Sequence, residues 1–303
     1  MKKHLFLLAF PILLVHIAKS QTMQTQTFDW QGHRGCRGLL PENSIPAFLK
    51  ALEFPQITTL ELDLAVSKDR QLIVSHEPWM SESICSKPDG TPVTKAEAMK
   101  LKIMDLTYDQ IKTYDCGSRG NSRFPEQQAM KTFKPSLADV LEEVKNYCFL
   151  RAKPLPRFNI EIKSHPEGDG IFTPPVEIFA QLVVDELNRS GIKEKSCVQS
   201  FDVRALQAVK KLDESVTLAL LVENLDGVDK NLERLGFKPD IYSCYYLLLR
   251  KKTVKKLHEQ GIKVIPWTVN SVKAMKKLRR WGVDGIITDY PNLIAEAVGN
   301  EKP

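Results

Sequence analysis

The feature that most limits the fold is an alternation of short apolar, β-branched segments with longer amphipathic ones along most of the chain. The strand-like segments are FDWQGHR (28–34), TTLELDL (58–64), FNIEIK (158–163), CVQSF (197–201), TLALLV (217–222), IYSCYY (241–246), KVIPWTV (263–269) and GIITDY (285–290). Between most of them lie helical patterns such as VRALQAVKKLD and SVKAMKKLRRWG. This alternation is typical of parallel strands joined by helices. Eight strands predict an α/β fold of the (β/α)8, or TIM-barrel, class.

A ninth strand-like segment, QLIVSH (71–76), follows the second strand after only six residues. A parallel crossover needs a dozen or more residues, so this segment is predicted to pair antiparallel with the second strand as a hairpin. Its turn falls at residues 68–70, which should return His76 to the side of Asp63. An open doubly wound sheet is the alternative fold, but no glycine-rich dinucleotide fingerprint follows any of the strands.

Residues 77–135 interrupt the alternation with polar residues, prolines and glycines and with little strand character. We predict one barrel domain over residues 21–303, with this segment as a small insertion after the second strand unit. Loops of this length in a compact fold are usually functional. Cys85 and Cys116 could cross-link the insertion. Cys197 and Cys244 fall on predicted strands, where buried free thiols are at least as frequent.

Residues 1–20 have the features of a secretory signal peptide: a basic start, an apolar run and small residues at Ala18 and Ser20. A transmembrane anchor is the alternative. However, Pro11 and His16 interrupt the apolar run, which falls short of the roughly 20 residues that a span requires. We therefore predict an exported protein, periplasmic or secreted, whose mature chain starts near Gln21. Disulfides can form in such a compartment.

The net charge of the mature chain is small. The formal charge is +6, but three of the 43 basic residues lie in the predicted signal peptide, which has no acidic residue. The remaining 40 basic residues against 37 acidic ones leave +3, too little to indicate nucleic-acid binding. Cationic clusters at 250–256 and 273–280 fall on helical patterns and are interpreted as solvated outer faces. Membrane contact is predicted to be at most peripheral.

In a (β/α)8 barrel, catalytic residues gather at the carboxyl ends of the strands. Glu61 and Asp63 are two positions apart in the second strand and so share one face, and Glu161 lies in the third. Three carboxylates inside a packed barrel would repel one another and lose hydration, a cost that a bound divalent cation would relieve. Oxygen ligands favour Mg²⁺ or Ca²⁺ over zinc, and strand-end acids do not distinguish the two.

Basic residues and histidines are expected beside this metal. Arg34 and Lys163 supply positive charge that matches a phosphate ester. His33 comes from the first strand and His76 from the hairpin, on opposite sides of the predicted metal. Because the pKa of histidine lies near working pH, the pair could act as general base and general acid. A later strand adds Trp267 at the same end.

Three residues after the first strand extend the predicted site. Glu42 is close enough in sequence to reach the metal or to orient the first histidine, and Asn43 or Ser44 is expected to cap the next helix. Taken singly, each candidate has a simpler explanation, such as a core histidine or an ordinary ion pair. Their convergence at one end of one predicted barrel favours a site. No role is predicted for His165 and His258, which fall in a loop and a helix.

A series of motifs covers nearly the whole mature chain, about residues 28–294. In order, it reads GHRG, PENSIPAF, LELDLAVSKDRQLIVSHE, FNIEIK, VQSFD, IPWTVN and VDGIITDYP. This order and spacing resemble the glycerophosphodiester phosphodiesterase family. The departures are small: Cys36 follows HRG, Glu77 stands where Asp is usual, and Asp69-Arg70 stands where Asp-Gly is common. The resemblance implies a TIM barrel with a small insertion after the second strand unit.

The resemblance also implies a role for each candidate residue. The metal ligands would be Glu61, Asp63 and Glu161. Glu42, of the Glu42-Asn43 pair, would lie near the metal and is sometimes counted as a ligand in the family. His33 and His76 would be the general acid and base, Arg34 and Lys163 would contact phosphate, and Trp267 would be an aromatic residue at the substrate rim. The implied reaction is hydrolysis of small glycerophosphodiesters to sn-glycerol 3-phosphate and an alcohol, with Ca²⁺ or Mg²⁺ as cofactor.

Two alternatives remain open from the sequence. One is an enzyme of phospholipase D-like or phosphatidylinositol-cleaving type that acts on intact lipids. It should need an apolar patch at the barrel mouth or on the insertion, and residues 77–135 are mostly polar. The other is a barrel that binds phosphodiesters without turnover, which the complete set of acids and histidines disfavours.

Overall fold

The computed structural model describes residues 28–299, and its centre is a barrel of parallel strands. The strands are β1 (Asp29–Gly32), β2 (Ile57–Val66), β3 (Leu72–Val74), β4 (Arg157–Ile162), β5 (Ser196–Ser200), β6 (Thr217–Val222), β7 (Ile241–Cys244), β8 (Lys263–Val264) and β9 (Gly285–Thr288). The order around the sheet is β8-β7-β6-β5-β4-β2-β1-β9, with parallel neighbours, and β3 pairs with β2. The predicted (β/α)8 class is confirmed.

Backbone hydrogen bonds from the segment around β8 to β9 close the barrel. The Asp284 N–H donates to the Val264 carbonyl at 2.9 Å, and the Ile287 N–H donates to the Pro266 carbonyl at 3.0 Å. The Val269 N–H then donates back to the Ile287 carbonyl at 2.9 Å. The strand predicted here is shorter than expected because Pro266 has no N–H and interrupts the ladder.

Helices surround the barrel and bury one face against it. Within the described residues these are α1 (Ile45–Ala51), α4 (Leu137–Leu150), α5 (Val176–Ser190), α6 (Val203–Leu212), α7 (Val228–Leu235), α8 (Lys251–Glu259), α9 (Val272–Trp281) and α10 (Ile294–Val298). Two further short helices, α2 (Lys95–Ala98) and α3 (Tyr108–Ile111), lie in the insertion. α5 is representative: Val176, Phe179, Val183 and Leu187 recur at helical spacing and are buried. The main core lies between these helices and the strands.

The hairpin predicted after the second strand is confirmed. β2 and β3 pair antiparallel, and the turn between them includes Arg70 with φ of +61°, a conformation that glycine adopts more readily. Beyond β3, the Ser75 N–H donates to the Asp63 carbonyl at 2.9 Å. The hairpin therefore returns His76 to the mouth of the barrel, next to the acidic residues of β2.

A ladder of amide side chains crosses the inside of the barrel. Asn159 of β4 donates to Gln31 of β1 at 2.8 Å and to Gln199 of β5 at 3.0 Å. Gln199 in turn donates to the Glu61 carboxylate at 2.8 Å. Because these side chains are buried and bonded to one another, they hold Glu61 in one orientation.

The insertion forms a cap with a small core of its own. Its buried residues, among them Met80, Ile84, Val93, Ile103 and Ile111, pack on the β2–β3 hairpin. Cys85 and Cys116 form a disulfide, as predicted for this segment. The other four cysteines, Cys36, Cys148, Cys197 and Cys244, are free thiols. Free thiols were expected for Cys197 and Cys244.

None of the helices between residues 28 and 299 is both long enough and apolar enough to cross a bilayer. The predicted signal peptide, residues 1–20, lies outside the described part of the chain.

Candidate active site

Three carboxylates form a buried acidic cluster at the mouth of the barrel. Glu61 and Asp63 lie on β2, and Glu161 lies on β4, where it pairs in register with Asp63. Each residue is 6% exposed or less, and one oxygen from each lies within 4.8 Å of the others. Asp63 Oδ1 is buried without a hydrogen-bond donor. An unsatisfied carboxylate oxygen among clustered acids fits a hard divalent cation, so this cluster could hold a metal ion.

Electrostatics within the cluster support this interpretation. Burial together with Asp63 and Glu161 raises the pKa of Glu61 well above its usual range. Burial and Asp63 also raise the pKa of Glu161, although Lys163 opposes the shift. Burial acts in the same direction on Asp63, but Arg34 and other cations outweigh it and hold the pKa of Asp63 well below its usual range. Three ionised acids would therefore need additional positive charge.

Arg34 connects the first strand to the cluster. Its backbone has φ of +50°, and its N–H donates to Glu61 at 2.9 Å. The guanidinium lies 3.1 Å from Asp63 through Nε and donates to Glu42 through Nη1 at 2.7 Å. The next residue is Gly35, with φ of +83°, where an added Cβ would lie 2.6 Å from the backbone of Ala47. The His-Arg-Gly turn thus needs glycine for its conformation and for space.

Glu42 and Asn43 contact charged residues at the mouth of the barrel. Glu42 was predicted to reach the metal or to orient His33. Its carboxylate accepts a hydrogen bond from Arg34, and its contact with a metal stays a prediction. Asn43 has φ of +53° and donates from Nδ2 to Asp63 at 2.8 Å. The helix cap is Ser44, whose hydroxyl accepts from the Ala47 N–H. Both residues of the Glu-Asn pair therefore position other charged groups.

His33 is oriented by Asp289, which directly follows β9. Nδ1 of His33 lies 2.6 Å from Asp289 Oδ1, and Arg37 and Asn270 also donate to this carboxylate. Contacts with His33 and Arg37 overcome burial and keep the pKa of Asp289 far below its usual range. Burial and Arg37 lower the pKa of His33 to about 4. Because the ionised Asp289 can only accept, Nδ1 carries the proton and Nε2 is left for the site, 3.9 Å from Glu61.

His76 has a similar arrangement on the other side. Its Nδ1 lies 2.9 Å from Glu77 Oε1. Burial opposes ionisation of Glu77, but His76 and Lys134 overcome it and lower the Glu77 pKa to about 2. The buried Lys134, from the end of the insertion, donates to Ser75 at 2.7 Å. Each histidine therefore has a carboxylate at Nδ1, and within residues 28–299 neither Nε2 has a hydrogen-bond partner.

The remaining predicted residues also lie at the mouth. The Lys163 ammonium is 2.9 Å from Glu161 and 3.8 Å from Asp63. The Trp267 indole donates to the Ser243 carbonyl at 2.9 Å, and its ring packs edge-on against Phe201 with centroids 5.4 Å apart. An open cavity of about 600 Å³ exposes all but two of the predicted residues: His33, Arg34, Glu42, Glu61, His76, Glu161, Lys163 and Trp267. Asp63 and Asn43 do not line this cavity.

Sequence reasoning missed several polar residues of the site. Asp289 and Gln199 could have been found, because each lies at the carboxyl end of a strand, where the barrel rule places functional groups. Arg37, Glu77 and Lys134 carry no such signal. They lie in loops, and only their contacts with Asp289, His76 and Ser75 reveal their position.

Comparisons with known proteins agree with this architecture. The model of the Glycerophosphoryl diester phosphodiesterase family matches residues 33–293. A glycerophosphodiester phosphodiesterase of Caldanaerobacter subterraneus is 28% identical over 268 residues, 88% of this chain and 96% of the relative. A lysophospholipase D of Rattus norvegicus is 24% identical over 322 residues, 97% of this chain and 92% of the relative.

Solved structures share the fold. A crystal structure of a protein from Silicibacter pomeroyi superposes with a TM-score of 0.78 at 23% identity, covering 90% of this chain and 94% of that one. A phosphodiesterase of Oleispira antarctica, solved with the product sn-glycerol-3-phosphate, has a TM-score of 0.70 at 21% identity, with coverage of 89% and 96%.

The fold and the site together define a TIM-barrel hydrolase with an acidic cluster and paired histidines at its mouth. More particularly, the chain belongs to the glycerophosphoryl diester phosphodiesterase family. It is therefore an enzyme, a phosphoric diester hydrolase, and the alternative of a barrel without turnover is set aside.

Proposed function

We propose that this enzyme hydrolyses glycerophosphodiesters to sn-glycerol 3-phosphate and an alcohol in a metal-dependent reaction. The observation that carries the proposal is the buried acidic cluster, with an Asp63 oxygen that lacks a hydrogen-bond donor, beside a cavity that contains both carboxylate-held histidines. The Caldanaerobacter relative is described as a glycerophosphodiester phosphodiesterase, and the Oleispira enzyme binds sn-glycerol-3-phosphate as product, which supports the same substrate class here.

Glu61, Asp63 and Glu161 are the proposed ligands of a Ca²⁺ or Mg²⁺ ion. Such an ion, when bound, would hold phosphoryl oxygens and neutralise negative charge in the transition state. The protein prepares the ligands by burying them and by fixing Glu61 through the amide ladder and the Arg34 N–H. Asn43 likewise holds the Asp63 carboxylate by donating a hydrogen bond to it.

His33 and His76 are the proposed proton-transfer residues. One accepts the proton of the attacking water or substrate hydroxyl at Nε2, and the other donates a proton to the leaving oxygen. Asp289 and Glu77 hold the opposite ring nitrogens, which sets the tautomer of each imidazole and stabilises the cation that forms during transfer.

Arg34 and Lys163 are the proposed phosphate contacts, and Trp267 forms part of the substrate rim. Without substrate the two cations are paired with the acids of the cluster. A bound metal ion would neutralise the acids instead, and the N–H groups of Arg34 and Lys163 would then be available to donate to phosphoryl oxygens. An enzyme acting on lysophospholipids is the second candidate, because the Rattus relative is described as a lysophospholipase D.

The proposal is tested by the release of sn-glycerol 3-phosphate from glycerophosphocholine. We expect turnover by the mature chain, loss of turnover in EDTA, and recovery when Ca²⁺ or Mg²⁺ is restored. A coupled glycerol 3-phosphate assay measures the product, and the metal that restores it names the usable cation. The absence of product with every metal would overturn the proposal.

Asp289 is predicted to act as a positioning residue for His33. In Asp289→Asn the amide can donate to Nδ1, which would place the imidazole proton on Nε2, so we expect kcat to fall by about 10- to 100-fold with little change in KM. Steady-state kinetics measure both constants. Asp284→Asn is a matched control. Asp284 lies 2.8 Å from His258, and neither residue lines the catalytic cavity. The kcat of this variant should stay within about twofold of wild type. Equal effects of the two substitutions would contradict the assignment.

We also propose that the protein is exported by a signal peptide at residues 1–20 and folds in an oxidising compartment, where the Cys85–Cys116 disulfide can form.

The disulfide spans 31 positions, a closure worth up to about 3–4 kcal/mol of unfolding free energy. Replacing both cysteines by serine is expected to lower stability in urea by that order. Serine at the free Cys148 is the control. Equal midpoints of the oxidised wild type and the double variant would contradict the expectation.

A further inference from the structure

Three aromatic rings line the half of the catalytic cavity that β5 to β8 form. Phe201 directly follows β5, Tyr245 directly follows β7, and Trp267 lies three positions after β8. The backbones of Tyr245 and Trp267 pair as a parallel bridge, and their ring centroids lie 5.5 Å apart. The Phe201 ring contacts Trp267 edge-on from three strands away, with the centroids 5.4 Å apart. We call these three rings the aromatic wall.

The aromatic wall is open to the cavity rather than packed inside the core. Phe201 is 42% exposed, and Tyr245 and Trp267 are half-buried. All three line the same cavity as the histidines and Glu61. Because aromatic side chains gain most when they are removed from water, rings left at the surface of a cavity are suited to covering a ligand.

A carboxylate without a partner stands beside the aromatic wall. Glu223 directly follows β6, and the pairing of Val222 with Cys244 makes it the neighbour of Tyr245 on the next strand. Glu223 lines the cavity, and within the described residues its carboxylate has no hydrogen-bond or ion-pair partner. The other carboxylates that line this cavity in residues 28–299 are all paired: Glu42, Glu61, Glu77, Glu161 and Asp289. The Glu223 charge is therefore available to a cationic ligand.

We propose that the aromatic wall and Glu223 form a subsite for a quaternary ammonium group, so that the enzyme selects the choline ester among glycerophosphodiesters. This inference rests on the proposed phosphodiesterase function and names the alcohol that the preferred substrate carries. The faces of aromatic rings attract organic cations, and rings gathered around a trimethylammonium group are a recurrent means of binding it. The carboxylate adds a direct attraction between opposite charges.

The apolar character of the aromatic wall distinguishes choline from other groups of such a substrate. A trimethylammonium group has no N–H or O–H, so contact with aromatic rings costs it no hydrogen bond. Glycerol hydroxyls and the primary ammonium of ethanolamine would lose hydrogen bonds to water there, and ring carbons offer no acceptors to replace them. The subsite should therefore favour choline over both.

The charges across the cavity match a zwitterion. Arg34 and Lys163, the proposed phosphate contacts, lie beside the acidic cluster. The Lys163 ammonium is also 5.9 Å from the Phe201 ring, so the β5 end of the aromatic wall is the positive end. Glu223, on β6, supplies the negative charge. A phosphodiester anion held by the two cations would therefore direct its trimethylammonium group away from Lys163 and toward Glu223.

The test compares three glycerophosphodiesters, with release of sn-glycerol 3-phosphate as the common readout and with the metal that supports turnover. They are the choline ester, the ethanolamine ester and the ester of 3,3-dimethylbutanol, which has the shape of choline without its charge. In the wild type, kcat/KM for the choline ester should exceed that for the uncharged ester by at least about tenfold. It should also exceed that for the ethanolamine ester.

Two pairs of variants test the residues. Glu223→Gln should lower the preference for the choline ester over the uncharged ester by at least about fivefold, because the carboxylate acts only on the charged substrate. Glu233→Gln is the matched control. Glu233 is an exposed residue of α7 that does not line the cavity, so this preference should stay within about twofold. Tyr245→Leu should lower the preference by about fivefold, whereas Tyr245→Phe keeps the ring and should keep the preference.

The outcomes separate the two proposals. If sn-glycerol 3-phosphate is released but the choline ester is not preferred over both other esters, the subsite inference is overturned and the proposed function stands. The same holds if Glu223→Gln and Glu233→Gln behave alike, or if the two Tyr245 variants do. If no ester yields product with any metal, both proposals are overturned. The comparison of substrates uses the wild-type protein, so it decides the question even if a variant does not fold.

Discussion

Alanine at His76 is expected to lower kcat by about two to four orders of magnitude while the protein stays folded, because this residue is proposed to transfer a proton in the rate-determining chemistry. Its side chain is 31% exposed, and its bond to Glu77 is not part of a core, so its loss should cost little stability. His33→Ala should have a similar effect on kcat but a larger one on stability, since His33 is buried against Asp289.

The control for the histidines is His258→Ala. His258 also pairs with a carboxylate, Asp284, but lies away from the cavity, so its removal should leave kcat within about twofold. Initial rates with glycerophosphocholine, together with circular dichroism to verify folding, distinguish the variants. Near-normal turnover in His76→Ala would exclude the two-histidine mechanism.

Replacing Glu61 by glutamine is expected to abolish divalent-metal binding and to reduce turnover by at least about 10³-fold. The substitution also removes one of three mutually repelling buried acids. The free energy of unfolding of the metal-free variant should therefore change little, although its turnover falls strongly. Calorimetric titration with Ca²⁺ and with Mg²⁺ measures binding. Thermal unfolding with and without metal measures the linked stabilisation, about 2.7 kcal/mol at a metal concentration of 100 Kd for the wild type.

Glu42→Gln is the matched control for this experiment. Glu42 is a glutamate at the same mouth, but it pairs with Arg34 and lies outside the acidic cluster. It should keep metal-dependent stabilisation while weakening substrate binding through Arg34. Loss of metal binding in Glu42→Gln, with retention in Glu61→Gln, would contradict the proposed ligand set.

Features that depend on contacts close in sequence were predictable. The hairpin was predictable, because six residues cannot make a parallel crossover, and its return places His76 beside Asp63. The acidic cluster was predictable because side chains two apart on a strand share a face. The length of β8 was overestimated. Pro266 interrupts the hydrogen bonds between the segment around β8 and β9, and the pairing of these two segments is a tertiary contact.

The orientation of His33 shows where local reasoning fails. Proximity in sequence suggested Glu42 as a partner of His33, but Asp289 orients this histidine from 256 positions away, and the Glu42 carboxylate accepts from Arg34. The mostly polar composition of the insertion likewise concealed an apolar surface, because Trp79 meets Phe172 only after the β4–α5 loop folds against the cap.

The sequence by itself determined the barrel, its insertion and the acids and histidines at the strand ends, because strand periodicity and the direction of parallel strands place those residues with no further information. Only the tertiary structure decided which carboxylate orients each histidine, how the amide ladder supports Glu61, and which rings form the aromatic wall. Those features arise from contacts between segments distant in sequence, and the packing of the closed barrel and its cap selects them.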